Sequence, residues 1–112
     1  LAERLTPWAG RLWQAVDSGP AGGVVAGDAD ALDEFAAACG ESVRTRRIDV
    51  DYASHTPHVE ALREEIRKAL VEIDPQPAGI PLCSSLTAGF LETERLDADY
   101  WFESLRNPVR YR

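Results

Sequence analysis

The sequence has 112 residues, of which 45% are hydrophobic and 28% charged, proportions that exclude a disordered chain and are ordinary for one folded domain. Its net charge of −7 excludes nucleic-acid and anionic-membrane binders, both of which need a basic surface. No apolar run approaches the roughly 20 residues that span a bilayer.

The pattern along the chain predicts a helix end over Ala2–Trp8, with Leu5 and Trp8 on one side. A short strand follows at Leu12–Val16. Asp17-Ser18-Gly19-Pro20 is turn chemistry, and Val24-Val25-Ala26 is a second strand stopped by Gly27. Asp28 to Cys39 reads as a helix, with Leu32, Phe35, Ala36 and Cys39 on its apolar face. Asp28 or Asp30 can cap it, and Gly40 ends it. Val43 to Val50 reads as a strand with Ile48 and Val50 on one face.

His58 to Ile73 carries the strongest helical stripe: Val59, Leu62, Ile66, Leu70 and Ile73. Thr56 is its natural N-cap and Pro57 its first residue. Glu64 and Lys68 stand at the favourable i, i+4 spacing. Pro75 and Pro77 bar continuation. Ile80 to Leu86 reads as a strand, followed by a turn at Ala88-Gly89. The tail, with Tyr100, Trp101, Phe102, Leu105, Val109 and Tyr111, is apolar enough to require packing. This order predicts an α+β fold of the split βαβ type, lacking that fold's opening strand. The start at Leu1-Ala2-Glu3-Arg4, with no initiator Met and no signal-peptide pattern, predicts a segment of a longer chain. Cys39 and Cys83 are the only cysteines; they form neither a disulfide framework nor a zinc site, and fit a reducing, cytoplasmic setting.

Chemistry can sit at two histidines, His55 and His58, in Tyr52-Ala53-Ser54-His55-Thr56-Pro57-His58. His55 precedes the helix N-cap, where the dipole disfavours a cation, and a neutral imidazole can act as general base toward a hydroxyl. The alternative for His55 is a local turn contact, and for His58 a solvated surface position. Ser54 points away from its neighbour in an extended strand. Ser84 and Ser85 lack the strand–elbow–helix turn of serine nucleophiles. Arg44, Arg46 and Arg47 can meet an acidic partner or simply guard a solvated edge.

Three stretches carry a resemblance to the acyltransferase domain of modular type I polyketide synthases. Ala15-Val16-Asp17-Ser18-Gly19-Pro20 through Val24-Val25-Ala26-Gly27-Asp28 is similar to that family's Ala-Val-Asn-Gly-Pro…Val-Val-Val-Ser-Gly-Asp segment. Val50-Asp51-Tyr52-Ala53-Ser54-His55 resembles the segment ending in the catalytic histidine. Leu96-Asp97-Ala98-Asp99-Tyr100-Trp101 and Leu105-Arg106-Asn107-Pro108-Val109-Arg110-Tyr111 resemble the closing Leu-Asp-x-x-Tyr-Trp…Asn-Leu-Arg-x-Pro-Val-Arg-Phe.

The resemblance implies Ser-His ping-pong transfer of an extender acyl group from coenzyme A to the phosphopantetheine of an acyl carrier protein. No cofactor or metal is implied; the CoA thioester and the carrier protein are substrates. His55 matches the histidine, with an orienting backbone carbonyl expected in the Asn107–Arg110 region. Tyr52, Ala53 and Ser54 would line the acyl pocket, in the form associated with methylmalonyl over malonyl. Residues 1–51 would be most of a ferredoxin-like small subdomain. Residues 52–112 would belong to a larger α/β-hydrolase-like subdomain. The Gly-His-Ser-x-Gly elbow and the family's carboxylate-binding arginine are absent from this chain, which would then be inactive alone. Its partners would be acyl-CoA, the carrier protein and the rest of the synthase. The alternative is a ferredoxin-like docking module for a carrier protein or linker, to which residues 80–112 would be superfluous. A small hydrolase using Ser84 or Ser85 is the remaining option.

Overall fold

In the computed structural model, which describes residues 1–111, the opening segment Ala2–Trp8 is a 3-10 helix rather than an α-helix end, with Pro7 inside it. Strands β1 (Leu12–Asp17) and β2 (Gly23–Gly27) pair antiparallel, Leu12 opposite Gly27 and Asp17 opposite Gly23. The register slips between Gln14 and Val16. Simple alternation would put Leu12 and Ala15 on opposite faces; with the bulge, both are buried. Gly27 is obligatory at the exit of β2. Its φ is +153°, and an added Cβ would collide with the Arg11 carbonyl oxygen and lie 2.9 Å from Leu12 Cα.

Helix α1 (Ala29–Cys39) begins at Asp28 and stops at Gly40, whose φ of +53° suits glycine. Its inward face is Ala31, Phe35 and Cys39, with Leu32 partly covered, whereas Ala36 is exposed. The expected stripe is thus rotated toward the i, i+4, i+8 row. The first-turn cap comes from Asp30, whose carboxylate accepts the Ala31 N–H at 2.8 Å. Leu5, Leu12, Ala31, Phe35 and Cys39 form the main core, and Trp8 meets Phe35 edge-on at 5.3 Å.

The expected strand at Val43–Val50 does not form. Val43 packs on the core, but Ile48 and Val50 are 55% and 60% exposed. A strand holds only through a neighbour. Here β1 has β2 on one side and the short strand Val109–Arg110 on the other, and among the described residues no strand lies outside β2. The helix expected over His58–Ile73 is also shorter and divided. Pro57–Leu62 is 3-10, and α2 covers only Arg63–Ala69. Of its stripe Val59 is buried, while Leu62 and Ile73 stay exposed; helical turns without tertiary cover are marginal. Glu64 pairs with Arg67 at 3.6 Å, not with Lys68.

Strands β3 (Leu82–Ser84) and β4 (Gly89–Leu91) form a hairpin shorter than expected. Ile80 is largely exposed and Pro81 has no N–H to give a ladder. Ala88 turns the chain at φ +58°, its N–H donating to the Ser84 carbonyl at 2.8 Å. Helix α3 (Ala98–Arg106) is capped by Asp97, which accepts the Tyr100 N–H at 2.9 Å. The tail does pack: Phe102 is 1% exposed. Strand β5 (Val109–Arg110) lies parallel to β1, Val16 opposite Val109. It thereby ties the end of the chain to its first sheet.

The result is a mixed α+β chain with two small sheets. Its Cα radius of gyration is 16.2 Å, against about 13 Å for a compact domain of this length. Among the described residues no helix is long and apolar enough to cross a membrane.

Candidate active site

Residues 51–56 contain no helix or strand, so side-chain bonds must hold this stretch. Thr56, with no exposed surface, does so. Its hydroxyl donates to the Ala53 carbonyl at 2.7 Å and accepts the His58 N–H at 3.1 Å. The N-cap read from the sequence is therefore also a clamp on the preceding turn. Ala53 is buried beneath it, Ser54 is half-buried, and Tyr52 is 64% exposed.

The turn forces His55 to φ +61°, a left-handed conformation that a non-glycine residue adopts at a cost and that gathers at functional sites. Two bonds to the end of α3 hold it there. The His55 N–H donates to the Leu105 carbonyl at 2.7 Å, and Nδ1 lies 2.9 Å from the Asn107 carbonyl oxygen. A carbonyl only accepts, so Nδ1 carries the hydrogen. In the neutral ring Nε2 is then the nitrogen with the lone pair, and it has no hydrogen-bond partner among the described residues. The half-buried imidazole is thus oriented and set in one tautomer, the arrangement a general base requires.

Behind Asn107 stands a polar brace that the sequence reading missed. The Asn107 carboxamide donates to the Glu103 carboxylate at 2.6 Å and to the Glu103 carbonyl at 3.0 Å. The other Glu103 oxygen accepts from Arg63 at 3.3 Å. Arg63 lies over the Phe102 ring at 4.1 Å and also binds Glu60. Glu60 receives Arg106 at 2.8 Å. The Arg106 bond, and then Arg63, hold the Glu60 carboxyl below the usual glutamate range. The available signal was spacing: Glu103 and Asn107 stand at i, i+4, and Glu60 and Arg63 at i, i+3.

His58 is surface-exposed as expected but not free. Its Nε2 is 3.0 Å from Asp28, and its ring meets Trp13 edge-on at 5.4 Å. Ser84 is buried, its hydroxyl 2.7 Å from the Tyr100 hydroxyl and accepting the Leu86 N–H at 3.2 Å. Among the described residues neither Ser84 nor Ser85 bonds to His55. Cys39 and Cys83 are free thiols, the first buried and the second exposed. Two open concavities, about 240 and 230 Å³, lie beside Pro77–Leu82 and between Arg67 and Asp99; neither includes residues 52–55.

The sequence profile described as acyl transferase domain matches residues 1–112. A spectinabilin polyketide synthase system protein of Streptomyces orinoci is 48% identical over 109 residues, covering 96% of this chain and 3% of that protein. An erythronolide synthase of Saccharopolyspora erythraea is 43% identical over 97% of this chain and 3% of its own length. Among solved structures, the acyltransferase domain from module 8 of the salinomycin polyketide synthase matches at TM-score 0.92 and 49% identity, over 97% of this chain and 26% of that one. A loading acyltransferase from the avermectin modular polyketide synthase matches at TM-score 0.92 and 38% identity, over 99% of this chain and 36% of that one. This chain belongs to the acyl transferase domain family and corresponds to part of a polyketide synthase acyltransferase domain.

Proposed function

We propose that this chain supplies the general base of a polyketide synthase acyltransferase, His55, to a serine nucleophile carried elsewhere in the domain. The observation that supports this most directly is the 2.9 Å contact of His55 Nδ1 with the Asn107 carbonyl, which leaves Nε2 as acceptor. In the first half-reaction Nε2 takes the serine proton as its oxygen bonds the thioester carbonyl carbon. Breaking the carbon–sulfur bond releases the CoA thiol, to which the imidazolium returns the proton. In the second half the phosphopantetheine thiol of a carrier protein gives its proton to Nε2 and attacks the acyl-serine. The serine oxygen leaves and is reprotonated. Nδ1–H stays on the Asn107 carbonyl throughout, whose dipole steadies the transient imidazolium.

In this reading Tyr52, Ala53 and Ser54 border the acyl pocket, and the small Ser54 side chain leaves room for the α-methyl of methylmalonyl. One methyl is worth only about 1–3 kcal/mol in such a pocket, so this is a bias among extender units. The β1–β2–α1 unit is the part of a ferredoxin-like subdomain held in residues 1–51, and residues 52–112 belong to the larger subdomain. The integration of the tail, with Phe102 buried and β5 paired to β1, favours a working part of an acyltransferase over a free-standing docking module.

The test is intact mass of the chain after incubation with methylmalonyl-CoA and, separately, malonyl-CoA, alongside a complete acyltransferase domain containing these residues. The chain alone is expected to stay unmodified and the complete domain to gain one acyl group. A stable adduct on the chain alone would place a nucleophile within it and overturn this reading.

A further inference from the structure

We propose that Glu103 is a positioning residue for His55, acting through the Asn107 side chain that it grips. The inference rests on His55 being the base. The direction of the Asn107 carbonyl, and with it the seat of Nδ1–H, depends on how Asn107 is held as the chain leaves α3. Asn107 sits at the C-cap with φ −95° and ψ 159°, so its own carbonyl has left the helix and only its N–H still makes the last helical bond. Glu103 adds a grip on the carboxamide to that bond. It accepts the Asn107 backbone N–H at 3.0 Å and the carboxamide at 3.0 Å on its carbonyl and at 2.6 Å on its carboxylate. Among the described residues, every hydrogen bond of Asn107 other than that to His55 goes to this one residue.

The second Glu103 oxygen reaches Arg63, on the helical run that starts just after His55. A ring therefore closes from His55 through Pro57–Leu62 and Arg63 to Glu103 and Asn107, and back to Nδ1. A rotation of Asn107 that lengthened the Nδ1 bond would have to break a charge-assisted bond held on both sides. A plain tie between α2 and α3 needs none of this. Arg67 and Asp99 make such a tie at 2.8 Å and touch neither Asn107 nor His55. That pair is a control built into the same two helices.

The experiment uses a complete acyltransferase domain containing this chain and compares Glu103→Ala, Glu103→Gln, Asn107→Ala and Asp99→Ala. The readouts are the nitrogen NMR shifts of His55, which report its tautomer, and the rate of acyl-serine formation from methylmalonyl-CoA. We expect E103A to shift His55 from Nδ1–H toward a tautomer mixture and to slow acylation about tenfold at unchanged KM, because small misplacements of a base are costly. E103Q keeps an acceptor for the carboxamide and should restore most of the rate. N107A should match E103A, and the double variant should be no worse than either. N107A leaves the ion pairs intact and serves if E103A does not fold. D99A should change neither readout. Wild-type tautomer and rate in both E103A and N107A, or equal shifts in D99A, would overturn the inference. His55→Ala is run beside these: if it acylates normally the base assignment falls, while the tautomer comparison still decides the role of Glu103.

Discussion

The imidazole of His55 and the carbonyl of Asn107 meet at 2.9 Å across a separation of 52 residues. In the proposed mechanism this neutral peptide carbonyl takes the place a carboxylate holds in a Ser-His-Asp arrangement. It fixes the tautomer and orients the ring without bringing a net charge beside the imidazole. The contact also depends on tertiary structure: α3 must be docked for the acceptor to be in place.

The first consequence concerns Thr56. Its buried hydroxyl joins the Ala53 carbonyl to the His58 N–H. Thr56→Val keeps the shape and removes both bonds, leaving buried polar groups unpaired at about 1–3 kcal/mol. Denaturant unfolding should show a loss of this size, and the shifts of the His55 backbone should move with it. An unchanged midpoint would mean that the turn is held by other contacts.

In the proposed reading Ser54 borders the acyl pocket, and this can be tested through substrate choice. In a complete domain, Ser54→Phe should lower the methylmalonyl to malonyl ratio of kcat/KM by about 10–200-fold, the range one methyl commands. Competition between the two thioesters, read by product mass, checks this. A ratio that does not move would remove Ser54 from the pocket.

At the β3–β4 hairpin, Ala88 pays for its left-handed φ of +58°. Ala88→Gly relieves about 1–2 kcal/mol of steric cost and adds about 0.4–1 kcal/mol of unfolded-state entropy, so a net gain of several tenths of a kcal/mol is expected in thermal unfolding. A loss would show that the methyl makes a packing contact that outweighs the strain.

Acid should weaken the fold through two carboxylates. Glu60 is held below the usual range by Arg106 and then Arg63. Glu34 is held there by Arg11 and then the Trp8 indole N–H. A folded pKa below the unfolded one means that the unfolded chain binds more protons. The stabilisation is therefore full above the ordinary glutamate value of about 4.3 and is lost as pH falls from there through the folded values. Both groups are solvent-exposed, so the effect is modest and salt-screened. Melting curves of the double variant Glu34→Gln, Glu60→Gln should be flatter with pH below about 5 than those of the parent. Equal slopes would assign the acid sensitivity to other groups.

The legible parts of this molecule were those set by local chemistry. The turn at Asp17–Pro20, the Gly27 and Gly40 stops, the Thr56 N-cap and Pro57 start act within a few residues, and they are where the pattern places them. Val43–Val50 reads as a strand by composition, yet a strand is a property of pairs, and among the described residues no partner strand lies beside it. The stripe from Val59 to Ile73 reads as one long helix, but only Val59 of it is fully buried, and α2 stops at Ala69. His55 was legible through a tetrapeptide and its place before a helix cap. Its acceptor could be narrowed to a four-residue window and no further, because which carbonyl turns toward Nδ1 depends on how α3 docks. The Glu103–Arg63 brace left no mark beyond helical spacing.

The measurement that bears most directly on the account is the rate of acyl-serine formation in a complete acyltransferase domain containing these residues, with His55 intact and as His55→Ala, followed by rapid-quench intact mass with methylmalonyl-CoA. A general base contributes about 10²–10⁴-fold, and a slowing within that range, with the fold unchanged, is the predicted result. Acylation of the His55→Ala protein at the parental rate would contradict the assignment of His55 as the base.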